Sequence, residues 1–194
     1  MRWALALALV VVVAVGIVLW RDPFLLVRGE FERQRLAAGL SRGSVVVDGH
    51  RWVYAERAAD AADAPTLVLV HGFTGSKENW YPLARALGGR YRLLIPDLPG
   101  WGQSERKPDA VYGFGEQAAH VDAFIRALSR GRPVVLVGHS MGGGIAALVA
   151  ARHPREIAAV ALLDAAGVRF KDNQFGLDVL AGRNPFAVED EASL

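Results

Sequence analysis

Residues 132–152 read Arg132-Pro133-Val134-Val135-Leu136-Val137-Gly138-His139-Ser140-Met141-Gly142-Gly143-Gly144-Ile145-Ala146-Ala147-Leu148-Val149-Ala150-Ala151-Arg152. A β-branched run comes first, a G-x-S-x-G follows, and an Ala/Leu-rich run ends the stretch. The β-branched residues favour a strand and the Ala/Leu run a helix. A tight turn between the two puts Ser140 in a strained backbone conformation that lifts its hydroxyl clear of the sheet. Gly138 and Gly142 flank it because side chains there would meet the neighbouring strand and helix. The helix start behind Ser140 supplies N–H groups with no intrahelical acceptor, where a developing oxyanion is stabilised. Ser140 is therefore the candidate nucleophile. His139 is rejected as its base, since adjacent residues on a sharp turn point in different directions and a base must reach the serine oxygen. A glycine-rich βα turn of some other fold is the competing reading of these five residues.

Working outward, the same alternation recurs. Ser44–Val47 and Arg51–Tyr54 flank Asp48-Gly49, a two-residue hairpin signal. Thr66–Val70 is an unbroken apolar strand of the kind covered on both faces. A helix is expected over Trp80–Leu87, a strand over Tyr91–Ile95, a long loop over Pro96–Val111 and a helix over Glu116–Ser129. The elbow follows, and then a strand over Ile157–Leu163. Strands alternating with helices imply an α/β fold with a mostly parallel sheet. Ligands of such sheets bind beyond the carboxyl ends of the strands, and two loops there carry polar signals. His71-Gly72-Phe73 follows the first buried strand and aims a backbone N–H at the space above the serine. Phe73 N–H and Met141 N–H are the expected oxyanion donors; a plain tight turn is the alternative for His71-Gly72. Asp97, in Pro96-Asp97-Leu98-Pro99-Gly100-Trp101-Gly102-Gln103-Ser104, reads as a structural acceptor of loop N–H groups, because it follows the wrong strand for a catalytic acid. His50, His120 and His153 read as surface or satisfied histidines.

The amino-terminal end is of another kind. Trp3–Trp20 is uncharged and bounded by Arg2 and Arg21. At ~1.5 Å per residue it spans about 27 Å, close to the hydrocarbon thickness of a bilayer. Terminal tryptophans suit the interfaces, and no small-x-small site follows to mark a cleaved signal peptide. Residues 1–21 are thus expected to be a single-pass membrane anchor, and 22–43 an amphipathic linker helix on the membrane surface or packed on the domain. The catalytic domain is expected over 44–194. Arg21, Arg28, Arg33 and Arg35 favour a cytoplasmic body by the positive-inside rule, whereas a signal-anchor reading places it outside. The net charge of +2 in 194 residues gives no reason to expect a nucleic-acid partner, and the absence of cysteine removes disulfides, thiolate metal sites and a thiol nucleophile. No metal or cofactor is expected, and the oligomeric state is left open.

Together, H-G-F-x-G-S at 71–76, P-D-L-P-G-x-G-x-S at 96–104 and G-H-S-M-G at 138–142 resemble the α/β-hydrolase superfamily over about Ser44–Gly167. Asp164–Val168 and Asp172–Phe175 look like the start of the lid region in membrane-anchored monoacylglycerol lipases of that superfamily. The resemblance implies a serine esterase acting on lipid-like esters through an acyl-enzyme on Ser140, with Phe73 and Met141 as oxyanion donors and His71, Gly72, Gly138, His139, Gly142 and Asp97 as motif positions. A carbon–carbon bond hydrolase or a small-ester esterase shares these motifs. Dehalogenases and epoxide hydrolases of the superfamily carry Asp where Ser140 stands. The superfamily order is Ser, then acid, then His. Leu194 falls in the lid, so the acid and base are expected beyond it, in a complete protein of which this chain is the first part. An inactive membrane-tethered module is the reading from a different class.

Overall fold

The computed structural model describes residues 16–168 continuously, with Trp3, Val10, Val13, Leu177, Asp178 and Ala181 described singly. Within these residues the chain runs α1 (Leu25–Ala37), β1 (Ser41–Val47), β2 (His50–Arg57), β3 (Thr66–Val70), α2 (Tyr81–Leu87), β4 (Arg92–Pro96), α3 (Phe114–Leu128), β5 (Val134–His139), α4 (Met141–Arg152) and β6 (Ile157–Leu163). The six strands form one sheet in the order β1-β2-β4-β3-β5-β6. β1 and β2 are an antiparallel hairpin whose turn residues Asp48 and Gly49 have φ of 48° and 72°. Two successive positive φ values are what a two-residue turn needs to match the twist of its strands. β2 meets β4 antiparallel, and every junction from β4 to β6 is parallel.

Side chains of a strand alternate between its faces, and the core divides accordingly. On one face Val68, Val70, Leu94 and Leu136 pack with Val121, Phe124 and Ile125 of α3 and Ile145 and Val149 of α4, with Trp52 stacked on Phe124 at a centroid distance of 4.7 Å. On the other, Leu67, Leu69, Leu93, Ile95 and Val137 pack with Trp80, Tyr81 and Ala84. Both faces of β3, β4 and β5 are thus covered, which is why these strands read as continuous apolar runs. β6 differs. Its sequence, IAAVALL, is just as apolar, but Val160, Leu162 and Leu163 stay exposed among the described residues.

α1 carries its charges in short-range pairs, such as Arg33 Nη2 to Glu30 Oε1 at 2.7 Å and Arg35 Nη2 to Glu32 Oε1 at 2.5 Å. It buries none of its own residues: Leu26, Val27 and Leu36 on it are exposed, as is Phe24 at its N-cap. Its attachment lies just past its end, where Ala38 and Leu40 enter the core. There the Arg57 guanidinium donates to Ala38 O at 2.7 Å, to Ala84 O at 2.8 Å, and to Gly88 O. One cation so satisfies the carbonyl ends of two helices. Among the described residues no helix is long and apolar enough to cross a membrane. The span expected over Trp3–Trp20 falls largely outside the described residues; 16–20 are helical and mostly exposed. Asp172–Phe175 also lie outside them.

Candidate active site

Ser140 has φ 51° and ψ −119° and caps α4. The helix begins directly behind the serine, at Met141, because packing against β3 decides the matter over the poor helix propensity of three glycines. A Cβ on Gly142 would stand 2.4 Å from both Val70 O and His71 O, and one on Gly138 only 2.2 Å from Gly142 O. Real side chains cannot approach so closely, so the chain turns here only with glycine at both positions. The serine backbone is tied on every side. Its N–H donates to Leu163 O at 3.0 Å, and its carbonyl accepts from Gly143 N–H at 2.9 Å, Gly144 N–H at 3.2 Å and Ala166 N–H at 2.8 Å. These bonds hold a backbone conformation that a non-glycine residue adopts only under constraint.

The His71-Gly72-Phe73 loop comes up against this elbow. A Cβ on Gly72 would lie 3.1 Å from Ser140 Cβ. Buried His71 is fixed by two partners: its Nε2 accepts from Leu98 N–H at 3.0 Å, and its Nδ1 lies 2.8 Å from Gly72 O. A backbone N–H can only donate, so the ring proton resides on Nδ1 and is given to Gly72 O. Gly75 N–H donates to the same carbonyl at 3.1 Å. The Gly72–Phe73 peptide is trans. Anchoring its carbonyl therefore turns the Phe73 N–H to the opposite side. Trp101 Nε1–H donates to Phe73 O, which fixes the next peptide as well. As the first residue of α4, Met141 offers an N–H with no intrahelical acceptor.

Burial pushes the His71 pKa down, and the Gly72 carbonyl and the Asp97 charge offset this only in part. The folded ring resists a proton that the unfolded chain accepts near the ordinary histidine value of 6.5. Stability is therefore complete above that value and falls as the pH drops below it. Thermal melting of the wild type is expected to decline between about pH 6.5 and about pH 5, above the range where carboxylates titrate. His71→Gln keeps a donor and an acceptor without a titration, and should flatten that decline.

Asp97 sits beneath the loop, fully buried. Its Oδ1 accepts from Lys77 N–H at 2.7 Å, and its Oδ2 from Lys77 Nζ at 2.7 Å and Gln103 N–H at 2.8 Å. Lys77 Nζ, itself fully buried, also reaches Gln103 Oε1 at 3.0 Å and Glu78 Oε1 at 2.7 Å. Burial raises the Glu78 carboxyl, but its bond to Lys77 and the ammonium charge leave it below the ordinary carboxylate range. Ser104 Oγ donates to Asp97 O at 2.8 Å and accepts from Val53 N–H at 2.8 Å, joining this loop to β2.

These elements enclose a cavity of ≈ 400 Å³ lined by His71, Gly72, Phe73, Thr74, His139, Ser140 and Leu163 among others. The structure thus brings Ser140, His139, Gly72 and Phe73 to one opening, with Met141 directly behind. Gly138 and Gly142 shape the turn, and His71 and Asp97 brace the facing loops. Among the described residues, Ser140 Oγ has no hydrogen-bond partner and no histidine ring bonds to it. Asp164, with φ 44°, is exposed at the end of β6. His120 Nδ1 lies 2.7 Å from Asp48 Oδ2, and His153 Nδ1 3.2 Å from Arg126 Nη2. His50 departs from expectation: it is buried and its Nε2 has no partner among the described residues. Asp122, His153 and Glu156 bring ligand-type atoms within 4.8 Å of one another. A guanidinium already supplies positive charge there: Arg126 lies 2.5 Å from Asp122 Oδ2 and 2.9 Å from Glu156 Oε1.

Lys77, Gln103 and Trp101 join the site through contacts between residues distant in sequence. For Lys77 a signal existed, since lysine occurs only at 77, 107 and 171 in a chain whose other basic residues are arginine. A compact ammonium fits a closed site where a guanidinium fork does not.

Residues 65–192 match the family model described as the alpha/beta hydrolase fold. Lipase 1 of Psychrobacter immobilis is 37% identical over 122 residues, which cover 63% of this chain and 38% of that protein. The monoacylglycerol lipase ABHD6 of Bos taurus is 28% identical over 173 residues, covering 88% of this chain and 50% of that protein. The chain therefore spans half or less of the length of these curated relatives. Among solved structures, a membrane phospholipase A described as a novel bacterial virulence factor superposes with a TM-score of 0.80 at 39% identity, over 99% of this chain and 61% of that one.

Proposed function

This chain belongs to the alpha/beta hydrolase fold family, and from that premise we propose that it carries the nucleophile and oxyanion site of a serine hydrolase cleaving carboxylic esters of lipids. The observation that carries the reading is Ser140 itself, held at φ 51° on a strand-to-helix turn beside a cavity of ≈ 400 Å³. Ser140 Oγ attacks the ester carbonyl carbon, and the hydroxyl proton passes to a general base. The carbonyl oxygen takes up the negative charge and is met by the N–H groups of Phe73 and Met141, both oriented before the substrate arrives. Collapse of this intermediate expels the alcohol with a proton returned from the base and leaves the acyl group on Ser140. Water then attacks the same carbonyl and releases the acid. The base and its carboxylate partner are not among the described residues. Without them the hydroxyl is a weak nucleophile at neutral pH.

Lipid esters, monoacylglycerols in particular, are the proposed substrate class. Support comes from the lipases and the phospholipase among the similar proteins. The uncharged run Trp3–Trp20 and the exposed apolar residues around α1 support a membrane anchor over 1–21, followed by a surface helix over 22–43 and the hydrolase domain over 44–194.

One preparation tests both proposals. Membranes carrying the protein are assayed with acyl esters of increasing chain length, with and without residues 1–21. Each buried methylene contributes about 0.8 kcal/mol, so lengthening a chain by two carbons within the acyl site should raise kcat/KM by about tenfold. Removing 1–21 should shift the activity from the membrane to the soluble fraction. A profile that peaks at acetate esters, or turnover confined to a carbon–carbon bond substrate, would remove the lipid reading.

A further inference from the structure

A second cavity, of ≈ 110 Å³, lies at the opposite end of the sheet from Ser140. It is lined by the loop Ala58–Ala64 and by Thr66, Arg92, Ser129, Arg130 and Arg132. β3 runs from Thr66 at this cavity to His71 at the other, so about 16 Å of strand separates them. Three arginines meet at this small opening. Arg92 Nη1 donates to Leu128 O at 2.9 Å, and Arg132 donates to Ala62 O at 3.3 Å and Asp63 O at 2.7 Å. These acceptors are neutral carbonyls, so the bonds hold the guanidinium groups in place without cancelling their charge. Arg130 has no hydrogen-bond partner among the described residues, nor do the hydroxyls of Thr66 and Ser129, two largely buried residues that line the pocket.

Arg130 is also held at φ 59°, directly before Gly131 at φ 71°. Helix ends of this kind favour glycine or asparagine at such positions, and a long side chain there is uncommon. The charge of Arg130 acts unfavourably on Arg92, whose pKa is lowered by burial first and by Arg130 second; Glu56 offsets less than Arg130 adds. Nearby Asp60 is directed elsewhere, against Gly89. The pocket thus gathers three guanidinium groups and two hydroxyls, and the acid that acts on Arg92, Glu56, is outweighed there by Arg130.

We propose that this pocket binds a phosphate group, with Arg92, Arg130 and Arg132 supplying charge-assisted N–H donors and Thr66 and Ser129 supplying hydroxyls. Guanidinium forks match the oxygens of a phosphate in geometry as well as charge. A water molecule takes about 30 Å³ of liquid volume, so the cavity of ≈ 110 Å³ has room for one phosphate group, with whatever it esterifies left outside. The same end of the sheet receives the chain from α1: Ala38 O is bonded by Arg57, and the pocket loop begins at the next residue. A phosphomonoester lipid headgroup and free phosphate are therefore both sources of the same chemistry.

The test uses the full chain and its Arg130→Gly variant, in which glycine relieves the positive-φ position and so favours folding. Calorimetric titration with inorganic phosphate at matched ionic strength should give saturable binding. The variant should weaken it by about tenfold, the equivalent of one charge-assisted hydrogen bond. Flotation with phosphatidate vesicles, against phosphatidylcholine vesicles as the neutral control, separates the sources. A phosphatidate preference that Arg130→Gly removes assigns the headgroup; titration sensitive to Arg130 with flotation insensitive to it assigns free phosphate. If neither phosphate nor phosphatidate distinguishes the variant from the wild type, the pocket is not an anion site. Loss of esterase activity at Ser140 would leave all of these readouts in place.

Discussion

Replacing Ser140 with alanine is expected to abolish hydrolysis while leaving the fold intact. On the proposed mechanism, the loss in kcat should approach the roughly 10⁶-fold seen when a serine hydrolase loses its nucleophile, with a residual acceleration of about 10³–10⁴ over water from the oxyanion site and binding. The bonds that position residue 140 are all made by its backbone: N–H to Leu163 O, and the carbonyl to Gly143, Gly144 and Ala166 N–H. Alanine keeps every one of them, so the melting temperature should stay close to that of the wild type. Ser140→Gly gives the complementary result. It releases the cost of φ 51°, so it should melt higher than Ser140→Ala while being just as inactive. A fluorophosphonate probe provides the readout. If Ser140→Ala is labelled as strongly as the wild type, Ser140 is not the nucleophile.

Asp97→Ala should produce the largest loss of stability of any single polar substitution in the described residues. It removes the fully buried one of the two carboxylates that hold the Lys77 ammonium, leaving Glu78 alone to balance that charge, and leaves the N–H groups of Lys77 and Gln103 without their acceptor. Breaking one side of a buried ion pair typically costs about 3–5 kcal/mol, most of it from the charge left behind. Urea denaturation should therefore shift strongly to lower concentration. Removing both charges with Lys77→Met and Asp97→Leu should recover part of that loss, because the buried ammonium is gone, while Glu78 loses its cation and the two N–H groups stay without an acceptor. Activity should not recover to the same extent. Asp97 also fixes the loop whose Leu98 N–H holds the His71 ring, and through Gly72 O that ring sets the direction of the Phe73 N–H. If the double variant were no more stable than Asp97→Ala, the charge-stranding argument would fail.

The pattern of local signals explains what could be read from the chain. The hairpin at Asp48-Gly49, the buried strands and the turn at Ser140 each depend on residues close in sequence, so composition and periodicity reveal them. The bracing of the site depends on distant pairings that local patterns do not carry. Lys77 looks like a surface lysine until β4 brings Asp97 over it, and Trp101 looks like a loop aromatic until its indole meets Phe73 O. The sheet order also escapes, because β3 enters between β4 and β5 only once all three exist. The apolar text of β6 and its exposure give opposite signals for the same reason: the sequence reports what the strand is suited to pack against, and the described residues do not include that partner.

The strand order also sets a timetable for how the chain acquires its shape. β1 and β2 join through a two-residue turn and close quickly, since little chain entropy is lost in so short a loop. β3 must wait for a strand made much later, because its pairing with β5 spans the whole of α2, β4 and α3. The turn at Ser140 is tied in turn to Leu163, the last residue of β6, and to Ala166 just past it, so its strained geometry is among the last features to be locked. Long-range parallel pairings of this kind slow folding. A refolding experiment should then show compactness first, with reactivity toward a serine-directed probe arriving in a separate, slower phase.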